Sequence, residues 1–208
     1  DSTATIEDNT ITGNARYGIF VGGSYYYADP SWRFLPSTVR IINNKIENNR
    51  YVGIYVNNST AIIEKNTIKN NRDRGIWGQD YARLTIASNT ITSNVVAGIG
   101  IGPHTTAEIR GNEVSHTQKD RHGDFGRGID VEDYSEVTVA ENNIHGNKEN
   151  GIIVLDGSHV IITNNRITNN REYGIFVDAS SVIRSCFGNV LFGNGSGNYG
   201  GVAKGKCH

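Results

Sequence analysis

Three carboxylates crowd one short stretch of this sequence, Asp130, Glu132 and Asp133, and the segment just ahead of them carries His122, Asp124 and Arg127. Carboxylates packed together raise one another's pKa, bind a hard cation such as calcium, or divide the roles of acid and base. An arginine or histidine beside them adds a candidate base, or a positive charge that neutralises an anionic substrate. The bland alternative for such a run is a solvated acidic turn.

A second set is aromatic. In a recurring Gly-Ile-x-Val pattern the x position reads Phe20, Tyr55, Trp77, Gly100, Asp130, Ile153 and Phe176, and the outward position two residues later reads Gly22, Asn57, Gln79, Gly102, Glu132, Leu155 and Asp178. Rings beside polar side chains suit sugars, which have an apolar face and a hydroxyl edge, and exposed patches of this kind mark interaction sites. Glycines at 100 and 102 leave room for a ligand near the backbone. The competing reading is that Phe20, Tyr55 and Trp77 merely cover one another.

What must position these residues is a repeat. Asparagines fall at Asn9, Asn44, Asn66, Asn89, Asn112, Asn142, Asn165 and Asn189, each followed two residues on by Ile, Val or Leu. Five residues on comes a second asparagine, from Asn14 to Asn194, with Thr117 the exception. A Gly-Ile step follows in seven repeats, from Gly18-Ile19 to Gly174-Ile175. Single apolar residues alternating with polar ones read as strands with one face buried. The expectation is an all-β fold, a right-handed parallel β-helix of about eight coils at 22–24 residues each, in a single domain over 1–208. Its coils would stack about 4.8 Å apart, with buried asparagine ladders at the corners. A leucine-rich repeat is excluded, because Leu occurs only at 35, 84, 155 and 191. On this frame His104 and Asp156 stand about one coil from Asp130.

Two segments break the period, at about 22–37 and 115–127, and interruptions of a rigid scaffold are where function concentrates. The first carries Tyr25, Tyr26, Tyr27, Trp32 and Phe34; the second would deliver His122, Asp124 and Arg127 to Asp130. The first insertion is also a candidate cap over the end of the solenoid, the alternatives being an excised module, a covering partner, or head-to-tail stacking of protomers. Net charge is −1, which gives nucleic acid or an anionic membrane no bulk attraction, and no apolar stretch approaches the roughly 20 residues of a membrane helix. Cys186 and Cys207 both lie in the last repeat, so a disulfide closing the 186–208 end is expected, and with it a secreted, extracellular or periplasmic setting.

The repeat N-x-I-x-x-N-x-x-x-G-I-x-V resembles the right-handed β-helix superfamily of pectate lyase-like enzymes, mannuronan epimerases and alginate lyases. Local likeness is greatest to the mannuronan epimerases, in which an Asp-Pro-His run follows a Gly-aromatic step. Here Gly128-Ile129-Asp130-Val131-Glu132 matches the Gly and Asp, Glu132 stands where that family has histidine, and Arg127 where it has a tyrosine. The resemblance implies an acidic polysaccharide as partner and proton abstraction beside a uronate carboxylate, giving lyase or epimerase products. Arg127 or His122 would be the base, with Asp130 and Glu132 completing the catalytic set. Asp130, Glu132 and Asp133 would hold calcium, as in a pectate lyase, and Phe20, Tyr55, Trp77, His104 and Asp156 would bind the sugar. The rival is a non-catalytic structural or adhesive β-helix, a filament subunit stacking end to end; a copper-handling role is a third option.

Overall fold

The structure, a computed structural model, describes residues 2–28 and 31–207. Each coil contributes one strand to each of three parallel eight-stranded sheets. The first sheet runs from Ser2–Glu7 to Val182–Phe187, the second, of three-residue strands, from Thr10–Thr12 to Val190–Phe192, and the third from Ile19–Gly22 to Gly197–Gly201. Pairing is in register, so residues of one type stack: Ile54, Ile76, Ile99, Ile129, Ile152 and Ile175 line one inner column of the third sheet and are fully buried. Ile46, Ile68, Ile91, Val114, Ile144 and Ile167 do the same for the second sheet.

Two ladders hold the corners. Through the first, Asn66 Nδ2 donates to Asn89 Oδ1 at 3.0 Å and Asn89 Nδ2 to Asn112 Oδ1 at 3.0 Å, while each side chain also donates to a strand carbonyl of the preceding coil, as Asn89 does to Ile63 O at 2.8 Å. Buried amides are thereby satisfied rather than stranded. The residue before each ladder asparagine is left-handed, whether it is Asn43, Lys65, Ser88 or Glu141, with φ between 55° and 59°. The glycine of each Gly-Ile step answers to the second ladder: a Cβ on Gly53 would lie 2.6 Å from Gly75 O and 2.9 Å from Asn71 Nδ2. Thr117 continues that ladder through its N–H, which donates to Asn147 Oδ1 at 3.0 Å.

The first insertion is an antiparallel hairpin, Ser24–Ala28 with Ser31–Leu35. The side chains of Tyr25, Tyr26, Tyr27 and Trp32, and with them the expected aromatic cap, lie outside the described residues. The second insertion is shorter than its sequence suggests. Glu113–Ser115 is a second-sheet strand, Thr117 keeps its ladder position and Arg127 opens the third-sheet strand Arg127–Val131, so the part that leaves the coil is 119–126. At the far end the tail pairs as Gly197–Gly201, then turns through the short helix Val202–Gly205 to bury Ala203 against the core. Cys207 is joined to Cys186 of the first sheet, which ties this tail across the end of the solenoid. Among the described residues no helix is long and apolar enough to cross a membrane.

Candidate functional site

The outward face of the third sheet gathers most of the expected residues, but not in the expected states. Tyr55, Trp77, Gly100 and Asp130 occupy one column in consecutive coils, as paired neighbours. Strand alternation places Asp130 toward solvent; it is instead only 2% exposed. The physical reason is lateral cover. Arg127, at the head of the same strand, lies over it and donates from Nη1 to Asp130 Oδ2 at 2.8 Å and to Glu132 Oε1 at 2.7 Å, while its Nε reaches Glu149 Oε2 of the next coil at 3.3 Å.

One guanidinium therefore serves three carboxylates, a cluster of net charge −2 if all are ionised. The most buried member is the one that gives up its charge: burial, aided by Glu132 and opposed by Arg127, raises the Asp130 pKa to about 7. Burial alone would lower the Arg127 pKa, but Asp130 and Glu132 outweigh it and hold the guanidinium further above its ordinary value. A guanidinium held like this does not release a proton, which corrects the expectation of Arg127 as base; it is a charge anchor. Calcium does not fit either. Asp130 Oδ2 and Glu132 Oε1 are taken by Arg127, and among the described residues no group of three or more His, Cys, Asp or Glu is arranged to hold a metal ion.

His122 is not brought to Asp130. The second insertion folds toward the earlier coils, and His122 lines a separate recess of about 750 Å³ with Arg50, Tyr51, Arg72, Asp73, Lys119, Asp120 and Arg121. Asp133, His104 and Asp156 lie in the turns that close the third sheet, all with left-handed backbone. His104 is exposed and stacks between Tyr81 and Tyr134, at 5.0 and 5.8 Å between ring centroids. Asp133 has its pKa raised by partial burial and by the neighbouring charges of Glu132 and Asp156.

The aromatic row is present and larger than expected. Phe20, Tyr55 and Trp77 are joined by Tyr17 and Tyr51, with centroid distances of 5.5 Å for Phe20–Tyr55, 5.1 Å for Tyr55–Trp77, 5.0 Å for Tyr17–Tyr55 and 6.4 Å for Tyr51–Trp77. Arg74 lays its guanidinium over Trp77 at 4.5 Å and pairs with Asp73 at 3.1 Å. Tyr17, Tyr51, Tyr55 and Trp77, with Arg16 and Arg50, wall a recess of about 470 Å³ that shares Arg50 and Tyr51 with the one holding His122. Within this joined groove the carboxylates are occupied, Asp73 by Arg74 and Asp120 by the N–H groups of His122 and Asp124 at 2.8 and 2.9 Å. Arg50 and Arg72, both exposed and in adjacent coils, have no carboxylate partner among the described residues.

Sequence reading missed Tyr17, Tyr51, Arg74, Arg50 and Arg72. Their signal was in the columns just before the Gly-Ile step and just after the second asparagine, where Tyr17 and Arg74 precede Gly18 and Gly75, and Arg50 and Arg72 follow Asn49 and Asn71. A groove over the outer face of the first sheet, about 540 Å³, pairs most of its charges, as in Arg110–Glu108 and Arg184–Glu136; Arg83 is left without a carboxylate partner among the described residues, but no aromatic ring lines the groove beside it except that of His159.

Compared with known proteins, the sequence matches the family model described as the right-handed beta helix region over residues 1–159 and again over 37–207. Among solved structures, a mutant of the periplasmic alginate epimerase AlgG is similar with a TM-score of 0.61 and 25% identity, over 74% of this chain and 35% of that one. The structure of the periplasmic alginate epimerase AlgG gives a TM-score of 0.56 and 24% identity over the same shares, a likeness of fold. The chain thus spans 35% of the length of the epimerase it matches. No curated protein matches the sequence.

Proposed function

The chain belongs to the right-handed β-helix family, and from that premise we propose that it binds an acidic polysaccharide of uronate units along the third-sheet face and acts on it by proton transfer at Asp130. The observation that carries the reading is the unpaired Arg50–Arg72 step beside the Tyr17–Tyr51–Tyr55–Trp77 cluster. Arginines stacked one per coil, about 4.8 Å apart, offer successive carboxylates a forked donor, and the rings offer each sugar an apolar platform. The alginate epimerase named above is similar to this chain, which supports the substrate class. Periplasmic or extracellular residence agrees with the Cys186–Cys207 bridge.

Taking a proton from the carbon beside a uronate carboxylate needs a base that is part-ionised at neutral pH and a cation that blunts the carboxylate. Asp130, titrating at about 7, supplies the first. Arg74, which lines the same cleft, supplies positive charge within it. Arg127 holds Asp130 by one oxygen and leaves the other unpartnered.

The test is retention on immobilised polymannuronate and polygalacturonate against a neutral glucan, followed by assay for unsaturated or epimerised product. Retention on both polyuronates that weakens with salt, and is lost in an Arg50→Gln/Arg72→Gln variant, is the expected result. Equal retention on the neutral glucan, or none on either polyuronate at low salt, overturns the binding reading; retention without product overturns the assignment of Asp130.

A further inference from the structure

Coil four contributes no side chain to two neighbouring outward positions of the third sheet, because they are Gly100 and Gly102. Gly100 pairs with Trp77 of the coil before and Asp130 of the coil after, so a notch one coil wide opens between Trp77 and Gln79 on one side and Asp130 and Glu132 on the other. Its volume is about 40 Å³. Two buried polar atoms on its walls have no partner: Asp130 Oδ1, an acceptor while ionised, and Arg74 Nε, a donor. Arg74 reaches this position only because Gly100 has no side chain; a Cβ there would stand 2.6 Å from Arg74 Cδ.

We infer that this notch is a subsite for one sugar hydroxyl, which donates to Asp130 Oδ1 and accepts from Arg74 Nε. A hydroxyl is the one common sugar group that does both at a single atom. The volume of about 40 Å³ exceeds the roughly 10–15 Å³ that a site needs to hold one water-sized group, so a hydroxyl oxygen fits. A carboxylate is disfavoured there by charge, because it would meet Glu132 and Asp133, which also line the notch. Leaving both atoms unpaired is costly, so an oxygen that completes both bonds gains what the empty notch lacks. Resting on the uronate reading, the inference fixes how a sugar lies before reaction: a ring hydroxyl enters beside Asp130 and must leave Oδ1 before that oxygen takes a proton from carbon, while the carboxylates of the chain point along the groove toward Arg72 and Arg50.

The notch can be filled without disturbing its walls. A Cβ on Gly102 would come no nearer than 3.7 Å to Gln79 and 3.8 Å to Gly78 O, ordinary contacts. Gly102→Ala therefore folds and places a methyl in the notch. Binding is measured by calorimetry with two probes, an oligomannuronate and polyacrylate, the latter a polycarboxylate without hydroxyls. Gly102→Ala is expected to weaken the oligomannuronate about tenfold, the worth of a buried hydrogen bond to a charged group, and to leave polyacrylate unchanged. Unchanged oligomannuronate affinity, or an equal loss for both probes, overturns the subsite. If oligomannuronate still binds Gly102→Ala normally but is lost by Arg50→Gln/Arg72→Gln, the notch fails and the polyuronate reading stands; if the unaltered protein binds neither probe, both fail.

Discussion

Asp130→Asn separates two opposite accounts of the buried cluster. If Arg127 dominated, Asp130 would be an ordinary ion-paired carboxylate with a lowered pKa, and ionising it would stabilise the fold. The structure argues the reverse, since burial raises it from 3.8 to about 7. Between these two values the folded protein keeps a proton that the unfolded chain has released. Stability from this group is therefore complete below about pH 4 and is lost as pH rises through 7. The shift from 3.8 to about 7 corresponds to about 4 kcal/mol at 1.36 kcal/mol per pKa unit. The amide of the Asp130→Asn variant cannot ionise and escapes that loss. Urea unfolding of both proteins at pH 4, 6 and 8 gives the stability of Asp130→Asn minus that of the unaltered chain, a difference in which groups that titrate alike in both proteins cancel. It is expected to rise by about 4 kcal/mol from pH 4 to 8, with most of the change before pH 7. A difference that is flat, or that falls with pH, refutes the reasoning and restores the ion-pair account.

Four further outcomes test the frame. Asn89→Ala removes the acceptor of Asn66 N and Nδ2 and the donor to Ile63 O, all in the core, and is expected to cost about 3–5 kcal/mol in urea unfolding. Asn9→Ala, at the exposed start of the same ladder, is expected to cost under about 1 kcal/mol. Lys65→Gly relieves a left-handed lysine (φ 56°) at a position where other coils have Gly111 and Gly188, and thermal unfolding should show a gain of roughly 0.5–1 kcal/mol. Cys186→Ser opens a loop whose ends are 21 residues apart and should lower stability by about 3 kcal/mol, with earlier proteolysis of the tail after Phe192.

The fold was legible because a solenoid writes its contacts into periodicity. Asn66, Asn89 and Asn112 recur at the repeat length and are bonded in sequence, and the Gly-Ile step recurs because its glycine abuts the second-ladder residue of the next coil, an asparagine except where Thr117 faces Gly98. Alternation also sorted inward from outward residues along each strand. It failed at Asp130, since alternation describes the direction a side chain leaves the backbone and not what folds over it afterwards. Arg127, three residues away, and Glu149, in another coil, close that lid through long flexible side chains whose conformations no spacing rule fixes. His122 went astray for a related reason: the length of an insertion says that it leaves the coil, not which way it turns. Cys186 and Cys207 could be paired because both belong to the last coil and the tail must return across its end.

The charges are distributed along the axis in a way that bears on how a polymer would lie. Coils one to three present Arg16, Arg50, Arg72 and Arg74 among the rings, whereas coils five and six present Glu132, Asp133 and Asp156. Coil four, with its two glycines, is the boundary. A polyuronate drawn to the first half is repelled by the second, and counterion screening cannot remove a repulsion between groups within a few ångströms of each other. On the proposed function, the bound chain therefore runs over the first four coils and stops at Asp130 instead of passing along the whole rod. Affinity for oligouronates should then rise with length only until the first four coils are covered. Neutralising Glu132, Asp133 and Asp156 together should extend that rise to longer oligomers, and an unchanged length dependence would show that the acidic coils do not set the end of the groove.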